Sequence, residues 1–286
     1  MSETVILRDT RVSGSDDVEG LTMEWAVACH VGKVRAANED AALALPGRYL
    51  LADGMGGHES GELASEAALE TLADAPVGAT LAQTSGALEG LLVEAQERIG
   101  ALEGDSARRA GTTATGVVLA VDGGKPHWVA FNIGDSRTYL ISGGTLHAVS
   151  VDHSQVQELV DSGFLTPEQA RVDPRRNVIT RALGAGMTMP QADFYAFPVV
   201  PGDTVLLCSD GLNGELTDTE ISAVFSASPD LESATQALVE CALESGGHDN
   251  VTVVLVRARA SADAEAADAE AAEAETTDAE EPGSDE

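Results

Sequence analysis

The apolar positions of this chain follow two spacings, and the chain switches between them several times. Residues 24–31 and 48–52 carry the compact apolar runs of strands. Across 61–75, Leu63, Ala67, Leu69 and Leu72 recur at helical spacing, and across 80–102 the stripe is Leu88, Leu91, Leu92, Ala95, Ile99 and Leu102. Strand patterns return over 112–121, 126–133 and 137–141, where Ser142-Gly143-Gly144 predicts a hairpin turn into 146–149. A helix is predicted over 154–161, with Gly163 placed to stop it. Thr166-Pro167-Glu168-Gln169 and Thr217-Asp218-Thr219-Glu220 are capping signatures that open two more helices. A strand over 204–208, an amphipathic helix over 231–243 and a last strand over 251–256 complete the series.

Strands, a helix pair, strand hairpins and helices again do not make the regular alternation of a parallel sheet. The order predicts an α+β fold, with antiparallel sheets and helices on their outer faces. Residues 154–190, between two strand groups, are expected to form a small projecting subdomain. Residues 1–21 are polar and rich in Gly, Ser and Asp, and are read as a flexible leader. Residues 260–286 are Ala/Glu/Asp repeats without a large apolar side chain, so disorder is expected there. That leaves one body over 22–259.

Composition narrows the chemistry. An apolar fraction of 43% over 286 residues is enough for a core. The net charge of −32 includes eleven acids and no base after Arg259. Such a surface argues against nucleic acid or anionic lipid as a partner. Any affinity for phosphate must then come from local cations. Cys29, Cys208 and Cys241 are odd in number and sit in apolar stretches, as fits a reducing cytoplasm, and no Cys/His spacing points to zinc. The start has no basic region followed by an apolar run, and no stretch is long and apolar enough to span a membrane. A monomer is the default expectation.

The candidate chemistry lies at the ends of four apolar runs. Asp53, Asp135 and Asp210 each close one, and Asp249 precedes another. Carboxylates at strand ends sit at the rim of a sheet. If the four rims meet, like charges at close range require protons or cations. Oxygen ligands alone point to a hard divalent metal. Asp53 has two oxygens with which to bridge a cation pair, and Gly54 leaves its own carbonyl open to approach. Glu39 adds a further carboxylate. Arg35 offers a planar fork of donors suited to phosphate. Taken singly, each segment also reads as an ordinary polar turn; their joint occurrence is the specific signal. One rival shares the segment. Cys29 and Arg35 have the spacing of cysteine-dependent phosphatases, but the stretch reads as strand and the cysteine as core.

Taken together, Arg35…Asn38-Glu39-Asp40, Asp53-Gly54-Met55-Gly56-Gly57-His58, Gly111-Thr112-Thr113, Gly134-Asp135-Ser136-Arg137, Asp152-His153-Ser154, Asn177…Thr180-Arg181-Ala182-Leu183-Gly184, Ser209-Asp210-Gly211 and Asp249-Asn250 resemble the bacterial PP2C-type (PPM family) metal-dependent serine/threonine protein phosphatases. The resemblance implies a four-layer αββα sandwich with a flap at about 154–190. It implies two Mn²⁺ or Mg²⁺ ions, with a third at a weaker site. Carried over, Asp53 bridges the pair, the Gly54 carbonyl and Asp210 and Asp249 complete the ligands, and Glu39 lies at the centre. Asp135 resembles the ligand of the third ion, and Arg35 the group that grips the phosphate. The expected reaction is attack of a metal-activated water on phosphoserine or phosphothreonine. Expected substrates are phosphorylated proteins, including Ser/Thr kinases. Eukaryotic members carry a His two residues after the bridging Asp. Here that position is Met55, and His58 or water is left to protonate the leaving group. The alternative function is a PP2C-like module that binds phosphoprotein without hydrolysis.

Overall fold

A computed structural model describes residues 5–56, 59–102 and 109–260. In chain order the elements are β1 (Arg11–Val18), β2 (Leu21–His30), β3 (Ala41–Leu45), β4 (Arg48–Ala52), β5 (Gly54–Met55), α1 (Glu59–Leu72) and α2 (Leu81–Leu102). There follow β6 (Gly111–Thr112), β7 (Ala114–Asp122), β8 (Lys125–Ile133), β9 (Arg137–Ser142), β10 (Thr145–Ala148), α3 (Gln155–Asp161) and α4 (Pro167–Val172). The last are β11 (Leu183–Gly184), β12 (Asp193–Pro198), β13 (Thr204–Cys208), α5 (Asp210–Asn213), α6 (Asp218–Ala227), α7 (Leu231–Ser245) and β14 (Val251–Ala260).

Two large sheets stack face to face. One runs β1-β2-β14-β13-β9-β10 and the other β12-β8-β7-β4-β3, and a patch of short strands, β11-β6-β5, lies apart. The strands of each sheet pair antiparallel. Strand periodicity assigns the layers. On β4, Leu50 faces α1 and α2, while Tyr49 and Leu51 face the second sheet. On β13, Val205 and Leu207 point between the sheets, and Leu206 packs toward α5, α6 and α7. The Tyr49 and Trp128 rings meet edge-on at 6.0 Å in the middle layer. Strands covered on both faces read as unbroken apolar runs, which is why 204–208 was recognisable without alternation. The result is the expected αββα sandwich.

Both capping boxes form. Thr166 accepts from the Gln169 amide and Thr217 from the Glu220 amide, each with the reciprocal side-chain bond. Helices α3 and α4 occupy the segment expected to project. The leader expected over 1–21 departs from the structure. Its residues 11–18 form β1, paired with β2 at eight positions from Arg11↔Ala28 to Val18↔Leu21. An edge strand needs only one covered face and one paired side, so its polar outer residues hid it. Residues 261–286, expected to be disordered, lie outside the described residues. Among the described residues no helix is long and apolar enough to cross a membrane.

Candidate metal centre

The sheet registers gather the aspartates at one end of the sandwich. In the six-stranded sheet, Cys208 at the end of β13 lies opposite Val253 and Arg137, and His30 lies opposite Val251. Asp210, Asp135 and Asp249 therefore leave their strands on the same side. In the five-stranded sheet, Ala41 pairs with Ala52, which sets Asp40 and Asp53 side by side. Asp53 is anchored through its backbone. Its amide donates to the Thr113 hydroxyl at 3.0 Å and its carbonyl accepts from the Thr113 amide at 2.9 Å.

Electrostatics show that these carboxylates share one field. Burial pushes the Asp53 carboxyl well above its ordinary range, and Asp40, Asp210, Asp135 and Asp249 push it further. Asp135 is raised in the same direction by burial, then by Asp210 and Asp152. Asp210 rises to about 6, through burial and Asp249, against the opposing pull of Arg35. Arg35 lies at the edge of this cluster, its Nη2 donating to Asp249 Oδ2 at 2.6 Å. Among the described residues no three Asp, Glu, His or Cys side chains are already drawn onto a single point. Asp249 instead holds the arginine with one oxygen and the Asn250 amide, at 2.8 Å, with the other.

Glu39 is buried beside α1. Its amide donates to Asn250 Oδ1 at 2.8 Å and its carbonyl accepts from the Ser65 hydroxyl at 2.7 Å. Gly54 is required on steric grounds. A Cβ there would lie 2.3 Å from the Gly61 carbonyl oxygen and 2.6 Å from that of Glu39. Gly211, beside Asp210, is tighter still, since its Cβ would fall 1.9 Å from the Asn250 carbonyl oxygen. That contact clamps α5 against the start of β14.

One member of the cluster received no role from the sequence. Asp40 is fully buried, and neither carboxylate oxygen has a hydrogen-bond partner. Burial raises it to about 7, Ser209 and Thr252 moderate the shift, and Asp210 and Asp249 add to it. It stands in the Asn38-Glu39-Asp40 motif, but only the register of β3 on β4 reveals that it faces Asp53. An orphaned buried carboxylate, four like-charged neighbours and oxygen donors throughout suit a hard dication such as Mn²⁺ or Mg²⁺.

A cleft of about 490 Å³ opens from Asp135 and Asp210 toward α3 and α4. At its floor Arg137 grips Asp152 with two bonds of 2.7 Å. At its rim Arg171 of α4 donates to the Asn213 carbonyl at 3.0 Å, tying the flap segment to the helix that carries Asp210. The cysteine rival does not survive. Cys29 is buried in β2 and burial pushes its thiol up to about 12, so no thiolate is available. His58 lies outside the described residues.

The family model for protein phosphatase 2C matches residues 33–250, and those bounds take in every residue of this cluster. The chain belongs to the protein phosphatase 2C family. Among its relatives is the serine/threonine phosphatase stp of Listeria welshimeri, 34% identical over 236 residues, covering 79% of this chain and 92% of that one. The protein phosphatase PstP of Mycobacterium tuberculosis is 39% identical over 242 residues; the match covers 82% of this chain and 45% of PstP, so this protein phosphatase 2C spans about half the length of that relative. A crystal structure of the PstP catalytic domain in complex with two manganese ions superposes with a TM-score of 0.70 at 35% identity, covering 84% of this chain and 99% of that one.

Proposed function

We propose that this chain is an active protein-serine/threonine phosphatase that hydrolyses phosphoserine and phosphothreonine in proteins and depends on Mn²⁺ or Mg²⁺. The observation that carries the reading is the convergence of five aspartates from separate segments, with one arginine at their edge. Asp53, Asp210 and Asp249 and the Gly54 carbonyl would hold two ions, with Glu39 close by, and Asp135 with Asp210 would hold a third. When bound, such ions supply Lewis acidity and lower the pKa of water toward neutrality.

The chain's own residues do the rest. The aspartates must be ionised to bind cations, and the cations in turn relieve the repulsion that raises Asp53, Asp135 and Asp210. Arg35 is half exposed at the edge of the cluster, and its guanidinium can donate to two phosphate oxygens in one plane. Asp249 holds one arm of that fork, at 2.6 Å. Cations held by Asp249 would compete with that bond and leave Arg35 to the substrate. The cleft that opens from Asp135 and Asp210 admits a side chain on a protein surface, and α3 and α4 form a flap beside it. A net charge of −32 does not attract an anionic substrate from afar, so affinity is local. Phosphorylated Ser/Thr kinases and their targets are the substrates we favour, in a reducing cytoplasm that suits three free cysteines.

Hydrolysis of p-nitrophenyl phosphate tests the reading. Activity is expected with Mn²⁺, lost with EDTA and in Asp210→Asn, and retained in Cys29→Ser. Absence of turnover under every condition would favour a module that binds phosphoprotein without hydrolysis.

A further inference from the structure

The segment before β1 runs along the back of the acidic cluster, and it lies outside the family match, which begins at residue 33. We propose that this segment is a strap and that Arg8 is a positioning residue for the metal centre, acting on Asn38-Glu39-Asp40 from behind. The inference rests on the metal-dependent reading above.

The contacts are specific to that tripeptide. Arg8 Nε donates to the Asp40 carbonyl at 2.9 Å. Arg8 Nη2 donates to the Ser65 hydroxyl at 3.0 Å, and that hydroxyl donates to the Glu39 carbonyl at 2.7 Å. One guanidinium thus supports two successive carbonyls, one directly and one through serine. Asn38 Nδ2 donates to Asp9 Oδ1 at 2.9 Å. Leu7 and Ala42 exchange backbone bonds of 2.9 and 3.0 Å just beyond Asp40. The strap is itself fastened, because Arg8 also pairs with Glu62 of α1, and the Cys29 amide donates to the Thr10 carbonyl at 2.9 Å. On the opposite side, Asn250 takes the Glu39 amide. The tripeptide is therefore gripped from both sides.

Position matters here because the Asp40 carboxylate finds no hydrogen-bond partner of its own. Its placement toward Asp53 depends on its backbone, and the backbone is held by residues 7–9. A guanidinium is suited to the task, since its planar fork reaches the Asp40 carbonyl, Ser65 and Glu62 at once. An ammonium at that position would satisfy fewer of them.

Calorimetric titration of the full chain with Mn²⁺ alone separates this role from simple anchoring of the N-terminus. Arg8→Ala is expected to weaken Mn²⁺ affinity about tenfold, the size seen when a group supporting metal ligands is removed. Arg8→Lys should fall between it and the parent. The control is Asp16→Ala, which removes the 2.7 Å bond from Trp25 Nε1 near the far end of β1 and touches nothing near Asp40. It should lower the melting temperature and leave Mn²⁺ affinity within about twofold. Should Arg8→Ala fail to fold, Asp9→Gly, which loses the Asn38 bond at a position whose φ of 47° glycine also adopts, is expected to weaken affinity by a few fold. Parent-like affinity in whichever of these two variants folds overturns the strap, as does equal weakening in Asp16→Ala. A parent protein that takes up no Mn²⁺ overturns the metal-dependent reading as well.

Discussion

At the scale of single residues, Arg35 and Asp40 divide what a sequence can and cannot disclose. Arg35 belongs to a motif whose spacing is informative, and its place beside Asp249 at the edge of the cluster gives it a measurable role. Arg35→Ala is expected to lower kcat/KM for p-nitrophenyl phosphate by roughly 10- to 100-fold, the worth of a charge-assisted bidentate contact. Most of the loss should appear in KM, and steady-state kinetics at saturating Mn²⁺ checks it. Asp53, Asp135, Asp210 and Asp249 were legible because each closes or opens an apolar run. Asp40 also precedes such a run, but Ala41–Leu45 is short and built of small residues, so neither the strand nor its facing partner could be read. Gly211 is a residue whose importance is purely steric. A methyl group at 1.9 Å from a backbone oxygen has no room, so Gly211→Ala is expected to cost about 3 kcal/mol, measured by urea unfolding with EDTA.

At the scale of elements, local chemistry was a good guide wherever it was self-contained. Thr166 and Thr217 each announce a helix start with their own side chain and the one three residues on, and both helices begin there. What escaped were elements defined by partners. Strand β12 pairs with β8 through half-exposed residues, and α5 is a single turn forced by the Asp210-Gly211 corner. The capping box on α4 gives an expectation confined to the flap. Thr166→Ala should destabilise α4 by about 1 kcal/mol. Hydrogen exchange should then quicken in 167–172, while protection in β13 and β14 is unchanged. Quickening throughout the sandwich would contradict a locally independent flap.

For the molecule as a whole, the buried aspartates invert the usual dependence of stability on pH. Asp40 at about 7 and Asp210 at about 6 bind protons in the folded state at pH values where their unfolded counterparts, near 3.8, have released them. Folding then takes up protons, so the stability these groups allow is highest below their unfolded value of 3.8 and is lost progressively as pH rises through about 6 and about 7. Calorimetry in EDTA should give a higher melting temperature at pH 5 than at pH 8, and saturating Mn²⁺ should raise the pH 8 value most. A metal-free melting temperature that climbs across this window would contradict the clustering. The outermost strands carry a separate consequence. The free margin of β1 presents Asp16 and Asp17, β10 is four residues long, β12 ends in Pro198, and β3 is covered at Ala42 by Leu7. Margins so short, so charged or so poor in donors make weak templates for a neighbouring chain. Concentrated solutions should therefore resist fibril growth, even though two broad stacked sheets make up the molecule's interior.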